Sequence, residues 1–184
     1  MIMQSKEEKI AELFFENPAR EWHFEEIVKE GKIARSKADG WLKRFIKEGL
    51  VNRVKEKGKM PYYVSNYASA PYKNKKKLFA LKKFYDCGFL NHLASLKKAE
   101  SVIIFGSFAR SDWYNGSDVD LFIYGDSEGL KIADYEIKLH HDIQVFICKN
   151  QDELAKFGAG LIKNIIKGNI IKGDIGFVKV GINA

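Results

Sequence analysis

One stretch constrains the fold more than any other part of the chain: Ser101–Tyr124, with the sequence SVIIFGSFARSDWYNGSDVDLFIY. Its first part, Val102–Phe105, is apolar and rich in β-branched residues, which predicts a buried strand. Gly106 and Ser107 then predict a turn, because small, flexible residues interrupt regular structure. A short helix and a polar loop lead from there to a second apolar run that begins at Asp118. The stretch therefore predicts two strands joined by a turn, a helix and a loop.

The second predicted strand carries two acids with one residue between them. Residues two apart in a strand point to the same side and lie roughly 6.5 to 7 Å apart along it. Asp118 and Asp120 therefore share one face, while Val119 points to the other. Two neighbouring carboxylates repel unless a cation lies between them, and oxygen ligands suit a hard ion such as Mg²⁺. The backbone N–H groups of the Gly-Ser turn are free to bind a phosphate. A phosphate site beside two acids predicts phosphoryl or nucleotidyl transfer.

The whole chain has a formal net charge of +7. The positive charge is concentrated in the middle of the sequence. Residues 73–98 hold eight Lys and Arg against one acid, while residues 99–184 are slightly acidic. Such asymmetry favours a polyanionic partner. These lysines are predicted to lie on an exposed helical face that either is only solvated or binds a phosphate-bearing partner: Lys73, Lys75, Lys76, Lys77, Lys82 and Lys83.

Composition also predicts what kind of protein this is not. No run approaches the ~18 apolar residues of a membrane span, and no signal-peptide pattern opens the chain. Cys87 and Cys148 are isolated from each other and from any histidine cluster. We therefore expect buried thiols rather than a disulfide or a metal site, no membrane partner, and a cytoplasmic location.

The N-terminal part predicts three helices and a hairpin. Apolar residues at helical spacing predict helices over Lys6–Asn17, Phe24–Glu30 and from Arg35 or Ser36 to about Glu48. Strands are predicted on either side of a lysine-rich turn, over Val51–Val54 and Pro61–Ser65. This order, with its phrases LKRFIKEGLV and YYVSN, resembles the winged helix-turn-helix family.

The resemblance implies DNA contacts from the third helix and the hairpin, called the wing. Phosphate contacts give affinity without sequence readout, and the third helix would enter the major groove. An acid, Asp39, lies one turn from the basic positions, so protein docking or dimerisation, including a homodimer, stays open as the alternative. The candidate DNA-binding residues are Arg35, Ser36, Lys37, Lys43, Arg44, Lys55, Lys57 and Lys59.

We expect three parts along the chain. The N-terminal domain occupies residues 1–68, and a polar connector, NYASAP, closes it. Residues 69–98 form a basic linker that is helical and bent or split at Gly88. Residues 99–184 form the second domain.

Four elements are predicted after the central stretch. A helix capped by Ser127 is predicted to end near Leu139, with Ile137 on its buried face, and His140 and His141 are predicted to be surface residues at its end. A strand follows over residues 143–148, then one helix over Gln151–Lys167 and an edge strand over residues 169–172.

At GSFAR and SDVDLF the chain resembles the nucleotidyltransferases of the DNA polymerase beta superfamily, and closely the small "minimal" ones of archaea and bacteria. The resemblance implies an α+β fold with a small mixed sheet flanked by helices. It implies that Asp118 and Asp120 bind Mg²⁺ (or Mn²⁺) and that Gly106 and Ser107 hold the β and γ phosphates of a nucleoside triphosphate, for which ATP is expected. Archaeal two-domain relatives also join a winged helix to the transferase through a basic helix. Two further residues are assigned to nucleotide binding: Arg110, which either pairs with a phosphate or braces an aspartate, and Ser117.

In that family a third carboxylate on a later strand helps to activate the attacking hydroxyl, and here the sequence departs from the pattern. Asp142 and Gln144 share one face of the predicted strand, so either can occupy the position. We predict Asp142 as the third catalytic residue, since a neutral amide cannot accept a proton. In a second departure, Ser111 stands where many relatives have glycine.

The predicted function is metal-dependent transfer of a nucleoside monophosphate from a triphosphate to a hydroxyl. By the same resemblance, the acceptor is expected to be a partner protein such as a HEPN-type toxin, for which this chain would be the antitoxin. The alternative is a DNA-binding regulator or antitoxin whose transferase domain no longer catalyses.

Overall fold

The computed structural model describes residues 5–178, which form two compact units. The first unit contains the chain up to Phe79 and, in addition, the short segment 111–115. The second unit contains Ala80–Arg110 and the chain from Gly116 onward. The predicted boundaries at residues 68 and 98 stay predictions, while the chain passes from the first unit to the second between Phe79 and Ala80.

The first unit begins with three helices and a small antiparallel sheet. Its helices are α1 (Lys6–Glu16), α2 (Phe24–Gly31) and α3 (Arg35–Lys47), and its strands are β1 (Trp22–His23), β2 (Val51–Val54) and β3 (Tyr62–Ser65). The strand order is β1-β3-β2. Ser5 begins α1 with a capping box, in which its hydroxyl accepts from the Glu8 N–H and Glu8 accepts from the Ser5 N–H. The predicted helices and hairpin are therefore present, and their assignment to the winged-helix family stays a prediction.

Lys76 is buried in the first unit, so its assignment to a solvated face was wrong. Its side chain is 1% exposed, and its ammonium group donates to the backbone carbonyls of Phe15 and Trp113. The Trp113 ring lies 4.5 Å from the ammonium and stacks on Phe79 at 6.4 Å. The ammonium group of Lys76 therefore stabilises the first unit and is not exposed for binding to a partner.

The predicted basic linker is helical and is split at glycine. Helix α4 covers Ala70–Asp86 and helix α5 covers Phe89–Ala94. Gly88 has φ +83° between them, a left-handed conformation that interrupts the helical path. Two large apolar residues of α4, Leu78 and Tyr85, are mostly exposed.

The second unit is built on a four-stranded mixed sheet, which fits the α+β class predicted for a nucleotidyltransferase domain. Its strands are β4 (Ala99–Phe105), β5 (Val119–Gly125), β6 (Ile143–Cys148) and β7 (Asn169–Lys172), in the order β6-β5-β4-β7. β5 runs parallel to β6 and antiparallel to β4, which also pairs antiparallel with β7. The edge position of β7 agrees with the prediction.

Helices α6 (Gly106–Arg110), α7 (Ala133–Leu139), α8 (Gln151–Leu154) and α9 (Ala159–Ile166) complete the second unit. One face of the sheet packs into an apolar cluster made of Ile103, Phe105, Phe122, Cys148, Ile165 and Phe177. None of the helices within residues 5–178 has the length and apolar character that crossing a bilayer requires.

Two predicted helices are shorter than the sequence pattern indicated. The helix predicted from Ser127 begins only at Ala133, because Gly129 adopts φ +87° and residues 127–130 close a turn instead. Ile137, which was expected on its buried face, is 74% exposed. The helix predicted over 151–167 is two helices, interrupted before Gly158, whose extended backbone caps α9.

Candidate active site

The turn after β4 lies directly against the second acid of the pair. Phe105, the last residue of β4, pairs with Asp120 on β5, so the chain that leaves β4 enters the turn beside this carboxylate. Gly106 has φ +68°, and a Cβ at this position would lie 1.8 Å from Oδ2 of Asp120. Only glycine fits here, because any side chain would overlap the carboxylate and occupy a disfavoured backbone region.

Asp120 is partly buried, and its surroundings disfavour its ionised form. Burial raises the pKa of its carboxyl group, and the negative charge of Asp118 raises that pKa further. The guanidinium of Arg110 and the backbone N–H of Ser107, which donates to the carboxylate, act in the opposite direction. A bound cation would reduce the repulsion between the two carboxylates and favour the ionised form of Asp120.

The other predicted nucleotide and metal ligands lie around this pair. Asp118 is exposed at the start of β5, and Arg110 is exposed at the end of α6. Ser107 is half-buried, and Ser117 is buried immediately before Asp118. The charge of Arg110 lowers the pKa of Asp120, and both predicted roles of Arg110 stay predictions.

The register of β5 and β6 locates both candidates for the third carboxylate. Asp120 pairs with Gln144, so an uncharged amide lies beside the more buried acid. Asp142 directly precedes the pair formed by Val119 and Ile143, and its carbonyl accepts from the Val119 N–H at 2.8 Å. In this register Asp142 is the neighbour of Asp118 rather than of Asp120. Both Asp142 and Gln144 are exposed, and the third catalytic role of Asp142 stays a prediction.

The part of the chain that the structure describes was searched for clusters of carboxylates, cysteines and histidines. Within residues 5–178, no group of three or more such side chains is arranged to hold a metal ion. Binding of a metal ion by Asp118 and Asp120 therefore stays a prediction.

Ser111, where the sequence departs from the family pattern, has an unusual backbone conformation. Ser111 has φ +66°, a left-handed conformation that residues with a side chain rarely adopt. Its side chain is buried at the start of the segment 111–115. Ser111 therefore places a side chain in a backbone conformation that favours glycine.

His141 is buried beside Ser117, and the sequence analysis did not predict this burial. It was expected on the surface with His140, yet it is 6% exposed, and its Nδ1 lies 2.8 Å from the carbonyl oxygen of Ser117. His140 is exposed, as expected, and ends α7 with φ +59°. No sequence signal separates the two histidines, because the burial of His141 depends on residues more than twenty positions away.

The candidate DNA-binding residues belong to the first unit, and several are engaged by acids of the same unit. Arg35 pairs with Glu25 at 2.7 Å, and Lys43 pairs with Asp39 at 2.8 Å. The structure also pairs Arg44 with Glu7 and Lys59 with Glu56. Four further candidates, Ser36, Lys37, Lys55 and Lys57, are exposed. Internal pairing lowers the positive potential that α3 presents, and DNA binding stays a prediction.

Comparison with known proteins finds a similarity to one protein family over a segment that lies mainly in the second unit. Residues 90–174 match the family model described as Polymerase beta, Nucleotidyltransferase. No curated protein and no solved structure matches the chain. The match supports the superfamily resemblance of this segment, nucleotidyl transfer as its general activity, and a nucleotide as its substrate. The matched residues include the Gly-Ser turn, both acids of β5 and both candidates for the third carboxylate.

Proposed function

We propose that the second unit is a metal-dependent nucleotidyltransferase that transfers a nucleoside monophosphate from a triphosphate, with ATP as the expected donor, to a hydroxyl group. The observation that carries the proposal is the contact between the turn and the acid pair. Gly106 leaves no room between its backbone and Asp120, and the Ser107 N–H donates to the same carboxylate. A phosphate held at this turn would therefore be next to any cation held by the acids.

Asp118 and Asp120 would hold Mg²⁺ or Mn²⁺. Two carboxylates whose charges oppose each other form a donor set of oxygen atoms only, which suits hard divalent ions. When bound, such an ion supplies Lewis-acid stabilisation of the charge that develops on the phosphoryl oxygens.

The reaction is a displacement at the α-phosphorus of the triphosphate. The acceptor oxygen forms a bond to this phosphorus, the bond to the oxygen that bridges the α and β phosphates breaks, and pyrophosphate leaves. The proton of the acceptor hydroxyl must pass to a base. Asp142 is the candidate base, because it is exposed immediately before β6 and is the neighbour of Asp118 in the register of β5 and β6.

The turn and Arg110 would bind the departing phosphates. Ser107 offers a hydroxyl that is half-exposed, and Arg110 offers an exposed guanidinium on the same short helix. Because the Ser107 N–H already donates to Asp120, we expect phosphate binding to depend on the hydroxyl and the guanidinium first.

The acceptor we propose is a hydroxyl on a partner protein, such as a tyrosine of a HEPN-type toxin, with the first unit as its docking module. The ion pairs of α3 support docking of a protein over DNA, because they neutralise much of the positive charge that phosphate contacts need.

The test is incubation with labelled ATP and Mg²⁺, with and without the protein encoded beside this chain, followed by detection of label on protein. We expect label on the partner in the presence of Mg²⁺ or Mn²⁺ and none with the Asp118→Asn/Asp120→Asn double variant. Asp112→Asn is the matched control, because Asp112 is an exposed acid of the same loop that is not assigned to the site. Absence of transfer with all four nucleotides and both metals would contradict the proposal.

A second function is favoured by one observation, the pairing of Asp120 with Gln144. If catalysis requires a carboxylate at this position, the unit would bind nucleotide without transferring it, and the chain would serve as a DNA-binding regulator or antitoxin. A salt-dependent shift of promoter DNA that is abolished in the Lys43→Glu/Arg44→Glu variant would support this function. Binding that ignores these charges would exclude α3 as the DNA-reading helix.

A further inference from the structure

His141 contacts two different parts of the candidate site at once. Its Nδ1 lies 2.8 Å from the carbonyl oxygen of Ser117, and its ring meets the ring of Phe108 edge-on, with 5.1 Å between centroids. A carbonyl oxygen can only accept a hydrogen bond, so Nδ1 carries the proton and donates it. The imidazole is buried, which makes this donor a fixed part of the fold.

The two contacts bind together the segments that carry the predicted ligands. Ser117 immediately precedes Asp118, the exposed acid of the pair, and Phe108 immediately follows Ser107 in α6. His141 itself belongs to the connection that leads into β6, next to Asp142. One buried side chain therefore fixes the spacing between the start of β5, the turn after β4 and the start of β6.

We propose that His141 is a positioning residue for nucleotidyl transfer, an inference that rests on the proposed function. Its hydrogen bond to Ser117 holds the backbone that presents Asp118, so that this carboxylate stays beside Asp120 although the two repel each other. Its ring holds α6 and the turn against the same point. His141 contacts neither metal nor nucleotide in this role and acts through Ser117 and Phe108.

Substitutions separate the hydrogen bond from the packing. His141→Asn places an amide donor near the position of Nδ1 and should keep the bond to the Ser117 carbonyl. His141→Leu keeps an apolar side chain but leaves the buried carbonyl without its donor, which is costly. His140→Asn is the matched control, because His140 is exposed and asparagine tolerates its left-handed backbone.

The first measurement needs no activity. Amide hydrogen exchange by NMR of Asp118, Val119 and Asp120 should be at least about tenfold faster in His141→Leu, and unchanged in His141→Asn and His140→Asn. Mn²⁺ titration of the same proteins should show about tenfold weaker binding for His141→Leu alone. If His141→Leu does not fold, His141→Phe replaces it, because phenylalanine keeps an aromatic ring beside Phe108 and lacks the donor.

The second measurement is the transfer reaction. We expect kcat of His141→Leu to fall by about tenfold or more with a smaller change in KM for the nucleotide, and His141→Asn to recover most of kcat. Unchanged exchange, Mn²⁺ affinity and kcat in His141→Leu would overturn the positioning role while leaving the proposed function intact. If the wild-type protein transfers no nucleotide, the proposed function fails, and amide exchange still decides whether His141 holds the backbone of Asp118.

Discussion

Gly106 and Asp120 are in such close contact that a single added methyl group on the glycine would coincide with the carboxylate of the acid. Glycine at this turn therefore serves two purposes: it adopts φ +68°, and it lets the backbone approach the acid pair. The contact makes the position of the turn and the orientation of Asp120 depend on each other.

Gly106→Ala should disable the site by forcing Asp120 to turn away. The added Cβ would lie 1.8 Å from Oδ2 and 2.7 Å from Cγ of Asp120, and the left-handed backbone adds about 1 kcal/mol of strain. We expect loss of detectable Mn²⁺ binding and a lower free energy of unfolding. Gly129→Ala is the control, because Gly129 has φ +87° with open space around it and shares only the strain. Equal effects of the two substitutions on Mn²⁺ binding would refute this explanation.

Asp120→Asn should stabilise the metal-free protein at neutral pH. Because the pKa of Asp120 is raised in the fold, the folded chain takes up a proton more readily than the unfolded chain, and the ionised group opposes folding. The variant should therefore unfold at a higher denaturant concentration than the wild type at pH 7, and this difference should shrink as the pH falls toward 4. Mg²⁺ at ten times its Kd should stabilise the wild type by about 1.4 kcal/mol and leave the variant unchanged. A variant less stable than the wild type at pH 7 would contradict this prediction.

Paired substitutions at residues 142 and 144 should identify the third catalytic position. If Asp142 accepts the proton of the acceptor hydroxyl, Asp142→Asn lowers kcat by about a hundredfold or more with little change in nucleotide affinity. Gln144→Ala should then have little effect, and Gln144→Asp should not raise kcat. The opposite pattern, an active Asp142→Asn and a faster Gln144→Asp, would show that the position beside Asp120 is the one that lacks its carboxylate.

Lys76 should make stability rise with pH in the alkaline range. Burial lowers the pKa of its ammonium group to about 8, although the charges of Asp112 and Glu16 act to raise it. Between pH 8 and 10.5 the unfolded chain retains a proton that the folded chain has lost, so the free energy of unfolding increases with pH.

The expected gain at Lys76 is about 2 kcal/mol between pH 7 and 9.5, measured as the difference from Lys76→Met in denaturant titrations. Lys75→Met serves as the control, because Lys75 is exposed on the same helix and its loss should leave the rise intact. A wild-type protein whose stability parallels that of Lys76→Met across this range would refute the burial of a titrating ammonium group.

The predictable parts of the fold are those whose signal is local. The spacing of apolar residues and the glycines and prolines that end regular structure were enough to predict α1, α2, α3 and the hairpin. The central stretch predicted β4, the turn and β5. The contact of Gly106 with Asp120 depends in addition on the antiparallel pairing of β4 with β5, in which Phe105 pairs with Asp120.

The parts that could not be predicted depend on distant residues. Lys76 is buried because Phe15 and Trp113, which are far from it in sequence, supply carbonyl acceptors. His141 is buried because Ser117 and Phe108 meet it from other elements. The pairing of Asp120 with Gln144 likewise follows from the parallel register of β5 and β6, which alternation of apolar residues along one strand does not encode.

The segment 111–115 gives the chain an unusual modular property. Its five residues are spliced between Arg110 and Gly116, yet Trp113 stacks on Phe79, and the Asn115 N–H donates to the Glu16 carbonyl at 2.8 Å. Division of the chain at one position therefore cannot yield the first unit with all of its residues and without residues of the second. A fragment that begins at residue 80 would contain Trp113 but lack Phe79, on which the Trp113 indole stacks. A fragment that ends at residue 79 would contain Lys76 and its acceptor Phe15 but lack the second acceptor, the carbonyl of Trp113. Evolutionary exchange of either half would have to preserve this short inserted stretch or rebuild it.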